Sequence, residues 1–510
     1  MSVAFSGDDS AIINEKLDVG LVESTPEAEL EGKYDLQGCS SWLKEHNYRI
    51  AALQFPDNLL ADATPIALYL QDNTECQIYI LADTSYGSCC VDEVAADHVT
   101  ADCVIHFGHA CLSATSRLPV YYVFVDLPLD VSSAADVLCP ALPADGTVVV
   151  FVDVRYQHAL AALCRELSLR LGSPVVAAEP PPSDPASAAD LTGGGEGATE
   201  TVLLNRRVAL SEPALQAATV VYVGGEGRLL TCLAMALGDT PLLVWDPSGG
   251  RPPAPPGPEA SRAVRRRYYM VERTKDAARV GVLVGTLAVH RYREAIERLK
   301  QLLRAAGKRC YTLLCGKLNV AKLANFPELD VLVLVSCPES ALLDSKEFLQ
   351  PVVTPYEAEL ACNPARQWSG RYVAEFGRLL PGGAAHVPLP EVGDVVTDVS
   401  LVTGRLRSCG LEAAGTPESG ADSSLVARDN LSVAVHGGGA GQALSERSWR
   451  GLEQRLGDTP VTAAVQGQRG VAAGYDQEGT AVEDSGSKPD SATANSESKD
   501  SAPTNSESIS

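Results

Sequence analysis

Short runs of apolar residues recur along the first two thirds of the chain, and between them apolar positions return every three or four residues. The runs are rich in Val, Ile, Leu and Tyr and do not alternate strictly with polar residues. Such runs are typical of strands buried on both faces, as in a parallel sheet covered by helices. The pattern predicts strands at RIAALQFP (49–56), CQIYILAD (76–83), CVIHFG (103–108), PVYYVFVD (119–126), TVVVFVDV (147–154), TVVYVGG (219–225), PLLVWDP (241–247), RVGVLVGT (279–286), RCYTLLCG (309–316) and VLVLVSCP (331–338).

One helix between these strands is well defined by its sequence, HRYREAIERLKQLLRAAGK (290–308). It ends close to a glycine, which is a helix stop signal, and it is amphipathic. Its apolar face carries Ile296, Leu299, Leu302 and Leu303. Helices of this kind alternating with buried strands indicate the α/β class, and the strands group into three α/β units rather than one long sheet.

Length and composition indicate the domain organisation. With 510 residues, of which 45% are hydrophobic, the chain exceeds one compact core and suits about three domains with disordered ends. Segments rich in Pro, Gly, Ser and Ala, and the polar end of the chain, cannot bury enough apolar surface to offset the entropy of ordering. We predict a flexible N-terminus (1–33), α/β domains at 34–140, 141–260 and 261–410, a low-complexity linker (411–447), a further segment (448–475) and a disordered acidic tail (476–510).

The formal net charge of −24 excludes one class of partner. So acidic a surface repels phosphate backbones and anionic lipid, so direct nucleic-acid binding is not expected. The amino terminus carries acidic residues where a secretory signal has a basic end and an apolar run. No stretch supplies the run of about twenty apolar residues that a membrane span needs. The sequence predicts a soluble protein of the cytoplasm.

Fourteen cysteines are scattered along the chain, many of them inside predicted strands, which is unlike a disulfide framework. A few lie instead in loops after strands. Cys89 and Cys90 follow the second strand, Cys111 follows the third, and Cys337 follows a strand of the last unit. Because the carboxyl ends of parallel strands gather at one edge of a sheet, Cys89, Cys90 and Cys111 are expected to lie close together.

The residues alone leave two interpretations of these thiols. Three thiolates from loops form a soft site suited to an iron–sulfur cluster or zinc, and three protein ligands leave one position open. Against this, the spacing is not CxxC, and a single free cysteine is most often a small buried hydrophobe of the core. The spacing permits a metal centre at Cys89 or Cys90 together with Cys111 and Cys337, without selecting it.

Other features have both a functional and a plain structural interpretation. His106 and His109 are candidates to hydrogen-bond a cluster sulfide, although packing is favoured for His106. The basic stretch 261–279 is either an anion clamp or, as we prefer, a solvated helix between domains. The loop 224–227 lacks the spacing of a phosphate-binding loop and is predicted to be a tight turn. Cys362 is predicted to end a helix rather than to approach the metal.

Several long strings resemble the diphthamide synthesis family. They are ALQFPDNLLADA, ILADTSYGSCCVDEVAADHV and VIHFGHACLS in the first unit, and YMVERTKDAARVGVLVGTLAV, GKLNVAKLANFPELDVLVLVSCP and EAELACNPA in the third. The resemblance extends from about Tyr34 to Thr403, and 448–475 is similar to the carboxyl end of the family's eukaryotic second subunits. The strings match this second-subunit branch best.

The resemblance implies a fold of three related α/β domains around a [4Fe–4S] cluster, which takes one cysteine from each domain in the catalytic subunits. Matched residue by residue, the second-subunit pattern implies Cys90, Cys111 and Cys337 as the cluster ligands. Cys89 is an alternative to Cys90, because the two are adjacent in one turn.

The middle domain departs from the catalytic pattern, because no cysteine occurs between Cys164 and Cys232. The resemblance then implies a non-catalytic subunit in a heterodimer with the first subunit. That complex uses S-adenosylmethionine, at the first subunit, to transfer a 3-amino-3-carboxypropyl group to a histidine of elongation factor 2. This chain would help to reduce the first subunit's cluster, with electrons from a reductase or a small iron-binding donor. The alternative is a non-redox scaffold that binds zinc or no metal and stabilises the catalytic subunit.

Overall fold

The computed structural model describes residues 24–82, 87–183, 199–316, 318–342, 348–390, 396–404 and 406–409, together with short strands at 425–427, 433–435, 470–471 and 474–475. The chain divides into two compact units, Met1–Arg447 and Ser448–Ser510. In the second unit, the described residues form one antiparallel strand pair. All other features below belong to the first unit. The disorder predicted for 476–510 lies outside the described residues.

The strands of the first unit form three main sheets. Each predicted apolar run contains one of these strands. The first sheet contains β1 Ile50–Gln54, β2 Gln77–Ile80, β3 Cys103–Phe107 and β4 Val120–Val123. The second contains β5 Val148–Val152, β6 Val175–Glu179, β7 Thr201–Leu203, β8 Arg206–Val208, β9 Thr219–Val223 and β10 Leu242–Trp245. The third contains β11 Arg279–Val284, β12 Arg309–Leu314, β13 Val331–Val335 and β14 Val352–Val353.

The three sheets share one strand order. The first sheet runs β2-β1-β3-β4 and the third runs β12-β11-β13-β14, with all neighbours parallel. The second sheet runs β10-β9-β5-β6-β8-β7, and its parallel strands, read as β6-β5-β9-β10, repeat the same order. This repetition confirms the prediction of three related α/β units with mainly parallel sheets.

The second sheet carries a hairpin that lies outside the predicted runs. β8 pairs antiparallel with β6, and β7 pairs antiparallel with β8. The two turn residues, Leu204 and Asn205, have positive φ angles of 47° and 62°, as a type I′ turn requires. Asn tolerates this conformation, whereas Leu adopts it rarely. Because the turn contains no glycine, the sequence gives no clear hairpin signal.

Smaller antiparallel pairs follow the third sheet. They are β15 Val396–Val399 with β16 Leu406–Cys409, and β17 Leu425–Ala427 with β18 Val433–Val435; the second compact unit has β19 Gly470–Val471 with β20 Gly474–Tyr475. β17 and β18 lie in the segment 411–447, which the composition predicts to be a linker without structure. Strands of only three residues are too short to change the average composition of such a segment, so composition does not predict them.

Helices cover the sheets. The helix Tyr292–Ala305, numbered α10 below, is the amphipathic helix predicted at 290–308. It buries Leu299, Leu302 and Leu303 against the third sheet, and Ile296 packs partly buried against the same core. None of the described helices is both long enough and apolar enough to cross a membrane. The helices are α1 Glu27–Tyr34, α2 Leu36–Glu45, α3 Ala63–Asn73, α4 Glu93–His98, α5 Val131–Leu138, α6 Leu160–Leu171, α7 Glu212–Ala217, α8 Arg228–Leu237, α9 Pro258–Asp276, α10 Tyr292–Ala305, α11 Val320–Ala324, α12 Pro338–Ala341 and α13 Pro355–Cys362.

The first described residues are folded, although the composition predicts flexibility for 1–33. They form α1, and the buried carboxylate of Asp62 holds this segment in place. Asp62 accepts the Thr25 N–H at 2.7 Å and the Tyr34 hydroxyl at 2.6 Å, and Lys33 Nζ lies 3.3 Å away. The prediction missed this anchor because its two sides are far apart in sequence.

Replacing Asp62 by asparagine should destabilise the fold in a pH-dependent way. Burial by itself raises the pKa of Asp62, but hydrogen bonds from Thr25 and Tyr34 lower it to about 2. A lowered carboxyl pKa contributes stability above the unfolded pKa, and that stability is lost as the pH falls through the folded value. Asp62→Asn should therefore cost about 2 kcal/mol at pH 7, and about half of that at pH 3. Urea unfolding at the two pH values measures this, and an unchanged difference would contradict it.

The basic stretch 261–279 contains most of α9, and one of its arginines is buried. Arg267 is 4% exposed, and its Nε lies 2.6 Å from a carboxylate oxygen of Glu357. The helix joins two cores, since Val271 packs with the second sheet and Met270 with the third. The prediction of a solvated helix is therefore wrong for Arg267, whose charge is matched by a carboxylate distant in sequence.

Candidate metal centre

Four cysteine thiols meet where the loops of the first and third sheets come together. Their Sγ atoms all lie within 4.8 Å of one another. Cys89 and Cys337 are 3.7 Å apart at sulfur, and so are Cys90 and Cys111. Cys90, Cys111 and Cys337 are buried and Cys89 is half-buried. The three loops after β2, β3 and β13 supply the thiols, at the strand ends where the sequence analysis places them.

Hydrogen bonds hold the loop that carries Cys89 and Cys90. The Gln54 side chain, at the end of β1, donates to the Cys90 carbonyl and accepts the Asp92 N–H, both at 2.8 Å. The Cys89 carbonyl accepts the Cys111 N–H at 3.0 Å. The loops after β2 and β3 are therefore bonded to each other and to the central strand of their sheet.

His106, in β3, supports the same loop. Its ring is fully buried, and its Nε2 lies 3.1 Å from the Ser88 carbonyl. Burial lowers the pKa of His106 to about 4, so the ring is neutral at physiological pH and donates through Nε2–H. Among the described residues, its Nδ1 has no hydrogen-bond partner. His106 is thus the packing residue that the sequence analysis favours, and it also fixes the residue before Cys89.

Neighbouring elements hold the other two loops. Cys337 immediately precedes α12, and its carbonyl accepts the Ala341 N–H at 2.9 Å. Asn205, in the turn between β7 and β8, donates from Nδ2 to the Cys111 carbonyl at 2.9 Å and to Ser113 Oγ at 3.2 Å. The middle sheet therefore reaches the site through an amide side chain rather than a thiol.

The three buried thiols differ in how readily they lose their protons. Hydrogen bonds from Cys111 and Cys89 lower the pKa of Cys337 well below its usual range. Hydrogen bonding among the thiols, together with burial, raises the pKa values of Cys90 and Cys111 well above it. Binding of a metal cation would remove the protons of the other thiols, because metal ligation deprotonates thiols.

The donor set fits a soft metal centre. Four thiolates ligate iron–sulfur clusters and also structural zinc, and Val289 packs against the group on its apolar side. The 3.7 Å sulfur separations correspond to one tetrahedral ion, whose bonds of about 2.3 Å put sulfurs about 3.8 Å apart. An iron–sulfur cluster is larger and requires the three loops to lie farther apart. The chemistry of the donors admits both.

A cleft of about 370 Å³ opens beside Cys89 and is lined by paired charges. His109 Nε2 lies 2.6 Å from Glu339 Oε2 and so joins the loops after β3 and β13. This hydrogen bond raises the pKa of His109. On the middle domain's side, Arg155 Nε lies 3.0 Å from Asp153 Oδ1. His109 is therefore engaged with a carboxylate rather than with a thiol.

Three further candidates take structural positions. The loop 224–227 turns directly from β9 into α8, as predicted, and a side chain at Gly224 would come within 2.7 Å of the Tyr222 hydroxyl. Cys362 ends α13, as predicted, and lies in the core of the third sheet. Cys232, in α8, lies outside the four-thiol group, but its Sγ is 3.6 Å from the Pro338 carbonyl.

Two residues reach the site without a sequence signal that points to them. Asn205 bonds the Cys111 loop, and its neighbour Arg206 is fully buried and is affected by the charges of Glu339 and Asp153 in the cleft. Both belong to the hairpin, whose position depends on the pairing of β8 with β6. A prediction that considers only parallel strands does not include a hairpin that pairs antiparallel with the sheet.

These features define a class of protein, in which three like α/β units bring thiols of the first and third units into one soft-metal site. The family model for diphthamide synthesis proteins matches residues 55–373. Relatives named 2-(3-amino-3-carboxypropyl)histidine synthase subunit 2 include the proteins of a bird, a fish and a mammal. The protein of Gallus gallus is 43% identical over 488 residues, covering 94% of this chain and 99% of the relative. The corresponding values are 41% over 499 residues, 94% and 98% for Danio rerio, and 39% over 486 residues, 89% and 95% for Homo sapiens.

A solved structure shows the same fold. Dph2 from Pyrococcus horikoshii with a 4Fe-4S cluster matches with a TM-score of 0.50 at 20% identity, covering 66% of this chain and 92% of that one. The chain belongs to the diphthamide synthesis family. Within that family, it is similar along nearly its whole length to the second subunits of the histidine synthase.

Proposed function

We propose that this chain is the iron–sulfur subunit of a cytoplasmic heterodimer that carries out the first step of diphthamide biosynthesis. The complex would transfer a 3-amino-3-carboxypropyl group from S-adenosylmethionine to a histidine of elongation factor 2. Cys90, Cys111 and Cys337 would ligate a [4Fe–4S] cluster here, and the role of this subunit is to deliver electrons to the cluster of the first subunit. The names of the curated relatives and the cluster in the archaeal structure support this proposal.

The observation that carries the relay role is the fourth thiol. Cys89 Sγ lies inside the group, 3.7 Å from Cys337 Sγ. Cys90, Cys111 and Cys337 alone would leave one position of the cluster open for a substrate, whereas Cys89 as a fourth thiolate would close its coordination. The group also needs no ligand from the middle domain. A closed centre suits electron transfer rather than binding of S-adenosylmethionine, which we assign to the first subunit.

A bound cluster supplies a one-electron couple, whose potential depends on ligation, hydrogen bonding and exposure. The residues of this chain set those conditions. Gln54 and His106 hold the Cys89–Cys90 loop, and Val289 excludes water on one side. Cys89 alone among the four is half-exposed and faces the cleft. Electrons would therefore enter or leave through Cys89, from a reductase or a small iron-binding donor and towards the first subunit.

One alternative has an observation in its favour. The 3.7 Å sulfur contacts match a single tetrahedral zinc ion, and a zinc-bound chain would act as a non-redox scaffold for the catalytic subunit. The paired charges of the cleft would then have no redox role.

Anaerobic purification of the chain together with its first subunit distinguishes the two functions. We expect a brown protein with broad visible absorption that bleaches when dithionite is added, and about four irons and four sulfides attributable to this chain. The matched preparation uses a first subunit whose own cluster cysteines are replaced, so that the colour reports this chain alone. A colourless preparation with one zinc per chain would replace the relay by the scaffold.

A further inference from the structure

Arg206 is the largest of the fully buried side chains of the described residues, and its exposure is 1%. Its Nη1 lies 3.4 Å from the Leu204 carbonyl and its Nη2 lies 3.5 Å from the Val152 carbonyl, both at the limit of a hydrogen bond. Its Nε has no partner, and the guanidinium stacks 4.3 Å from the Phe151 ring centre. Within the described part of the chain, no ion pair joins Arg206 to a carboxylate.

The hairpin turn ties the segment that carries this charge to the loop of Cys111. Asn205, the preceding residue, donates to the Cys111 carbonyl at 2.9 Å. Leu204, in its rare positive-φ conformation, donates its N–H to Glu375 Oε1 at 2.7 Å. The turn is thus bonded to loops of both the first and the third units. Such strain persists where the surrounding structure over-determines it, and it is often found at functional sites.

The carboxylates that act on Arg206 already have other partners. Burial lowers the pKa of Arg206 to about 10, and the charges of Glu339 and Asp153 oppose this shift. Glu339 is bonded to His109 at 2.6 Å, and Asp153 to Arg155 at 3.0 Å. Each of these two carboxylates is therefore bonded to a side chain other than Arg206. Burying a guanidinium without a carboxylate is unfavourable, so the arrangement is explained best by a negative charge that the thiol group itself supplies.

We infer that Arg206 is a positioning residue that makes the thiolate-bound centre easier to reduce, by balancing its negative charge from within the protein. The inference rests on the proposed function. In the step concerned, a reductase or small iron-binding donor gives up one electron and the centre gains one, with no bond made or broken. The added negative charge lies in a medium of low dielectric, where a fixed nearby cation stabilises it. The middle domain contributes this cation where it lacks a thiol.

Potentiometric titration of the anaerobic protein, followed by visible absorption, tests the inference. Arg206→Met should retain iron and sulfide but be about tenfold harder to reduce at a fixed reductant ratio, which is a shift of about 59 mV to lower potential for a one-electron couple. Arg206→Gln, which can still donate to the Leu204 and Val152 carbonyls, should shift likewise. Arg206→Lys keeps the charge and should stay near the wild-type potential. Arg207→Met, which removes the same charge from the other face of β8, should leave the potential unchanged.

The other possible results also support or overturn the inference about Arg206. If both neutral variants lose iron but Arg206→Lys keeps it, the positive charge is required during assembly, and the inference stands. If all three lose iron, or if the neutral variants keep the wild-type potential, Arg206 serves only the shape of the hairpin and the inference is overturned. Wild-type protein without iron or sulfide would overturn the proposed function as well, which separates that failure from a failure at Arg206 alone.

Discussion

Replacing Cys90, Cys111 or Cys337 singly by alanine should remove nearly all iron and sulfide while the protein stays folded. All three thiols are buried within one group, so each lost ligand leaves a gap that water cannot easily fill. Their loops are also held in place, as by Gln54 at the Cys90 carbonyl. The remaining thiol of the group, Cys89, contacts Cys337 and so has a place of its own, and the held loops keep it from replacing a lost ligand. Iron and sulfide analysis with visible absorption measures the loss, and circular dichroism checks the fold.

Cys139→Ala is the matched control, because Cys139 is half-buried and lies outside the group. Its iron content should equal that of wild type. The same is expected of Cys232→Ala, although its contact with the Pro338 carbonyl makes it the less clean control. Cys89→Ala should retain iron on the three remaining thiols, with altered absorption. Full iron in all three alanine variants of the buried thiols would rule out the ligand assignment.

The Cys90→Ala/Cys111→Ala/Cys337→Ala variant should still support modification of elongation factor 2 when dithionite is supplied, but should be slow or inactive with a physiological reducing chain. A chemical reductant can bypass a relay, whereas it cannot replace a lost active site. The measurement is transfer of the labelled 3-amino-3-carboxypropyl group by the purified heterodimer under the two conditions. We expect near wild-type product with dithionite and a loss of at least about tenfold without it.

Size-exclusion chromatography and the iron content of the first subunit serve as controls for this comparison. If the intact heterodimer fails even with dithionite, the subunit takes part in the chemistry itself. Equal rates under both conditions would show that its centre is dispensable, as the scaffold alternative requires. The heterodimer with the Cys139→Ala chain provides the matched reference.

Local patterns predict the parts of the fold that depend on neighbours in sequence. The continuous apolar runs place the strands, and the spacing of Leu299, Leu302 and Leu303 places α10. The post-strand positions of Cys90 and Cys111 also bring them together, because parallel strands of one sheet end at the same edge. Cys337 follows a strand of another sheet, and its approach depends on how the first and third sheets pack. The role of these thiols as ligands stays a prediction.

Pairings between distant residues are beyond this reasoning. Two examples are the hydrogen bond from Thr25 to Asp62 and the ion pair of Arg267 with Glu357. In each case, no pattern in the neighbouring sequence identifies the partner. The hairpin around Arg206 depends on an antiparallel pairing without a glycine turn.

The choice between Cys89 and Cys90 also depends on the folded loop. Adjacent residues face different directions, and here Cys89 contacts Cys337 whereas Cys90 contacts Cys111. From the sequence, Cys89 and Cys90 are alternatives, whereas the fold places both in the four-thiol group.

The thiol group closes a very long loop, since Cys89 and Cys337 are 248 residues apart in sequence. During synthesis, Cys89, Cys90 and Cys111 leave the ribosome well before Cys337 has been translated. An ion delivered to that nascent chain would find three thiols on one folded sheet and no fourth, a partial site whose contents differ from those of the finished protein. With the proposed ligands, the complete site exists only once the third sheet has folded against the first, so correct loading would be a late event that depends on the order of domain folding.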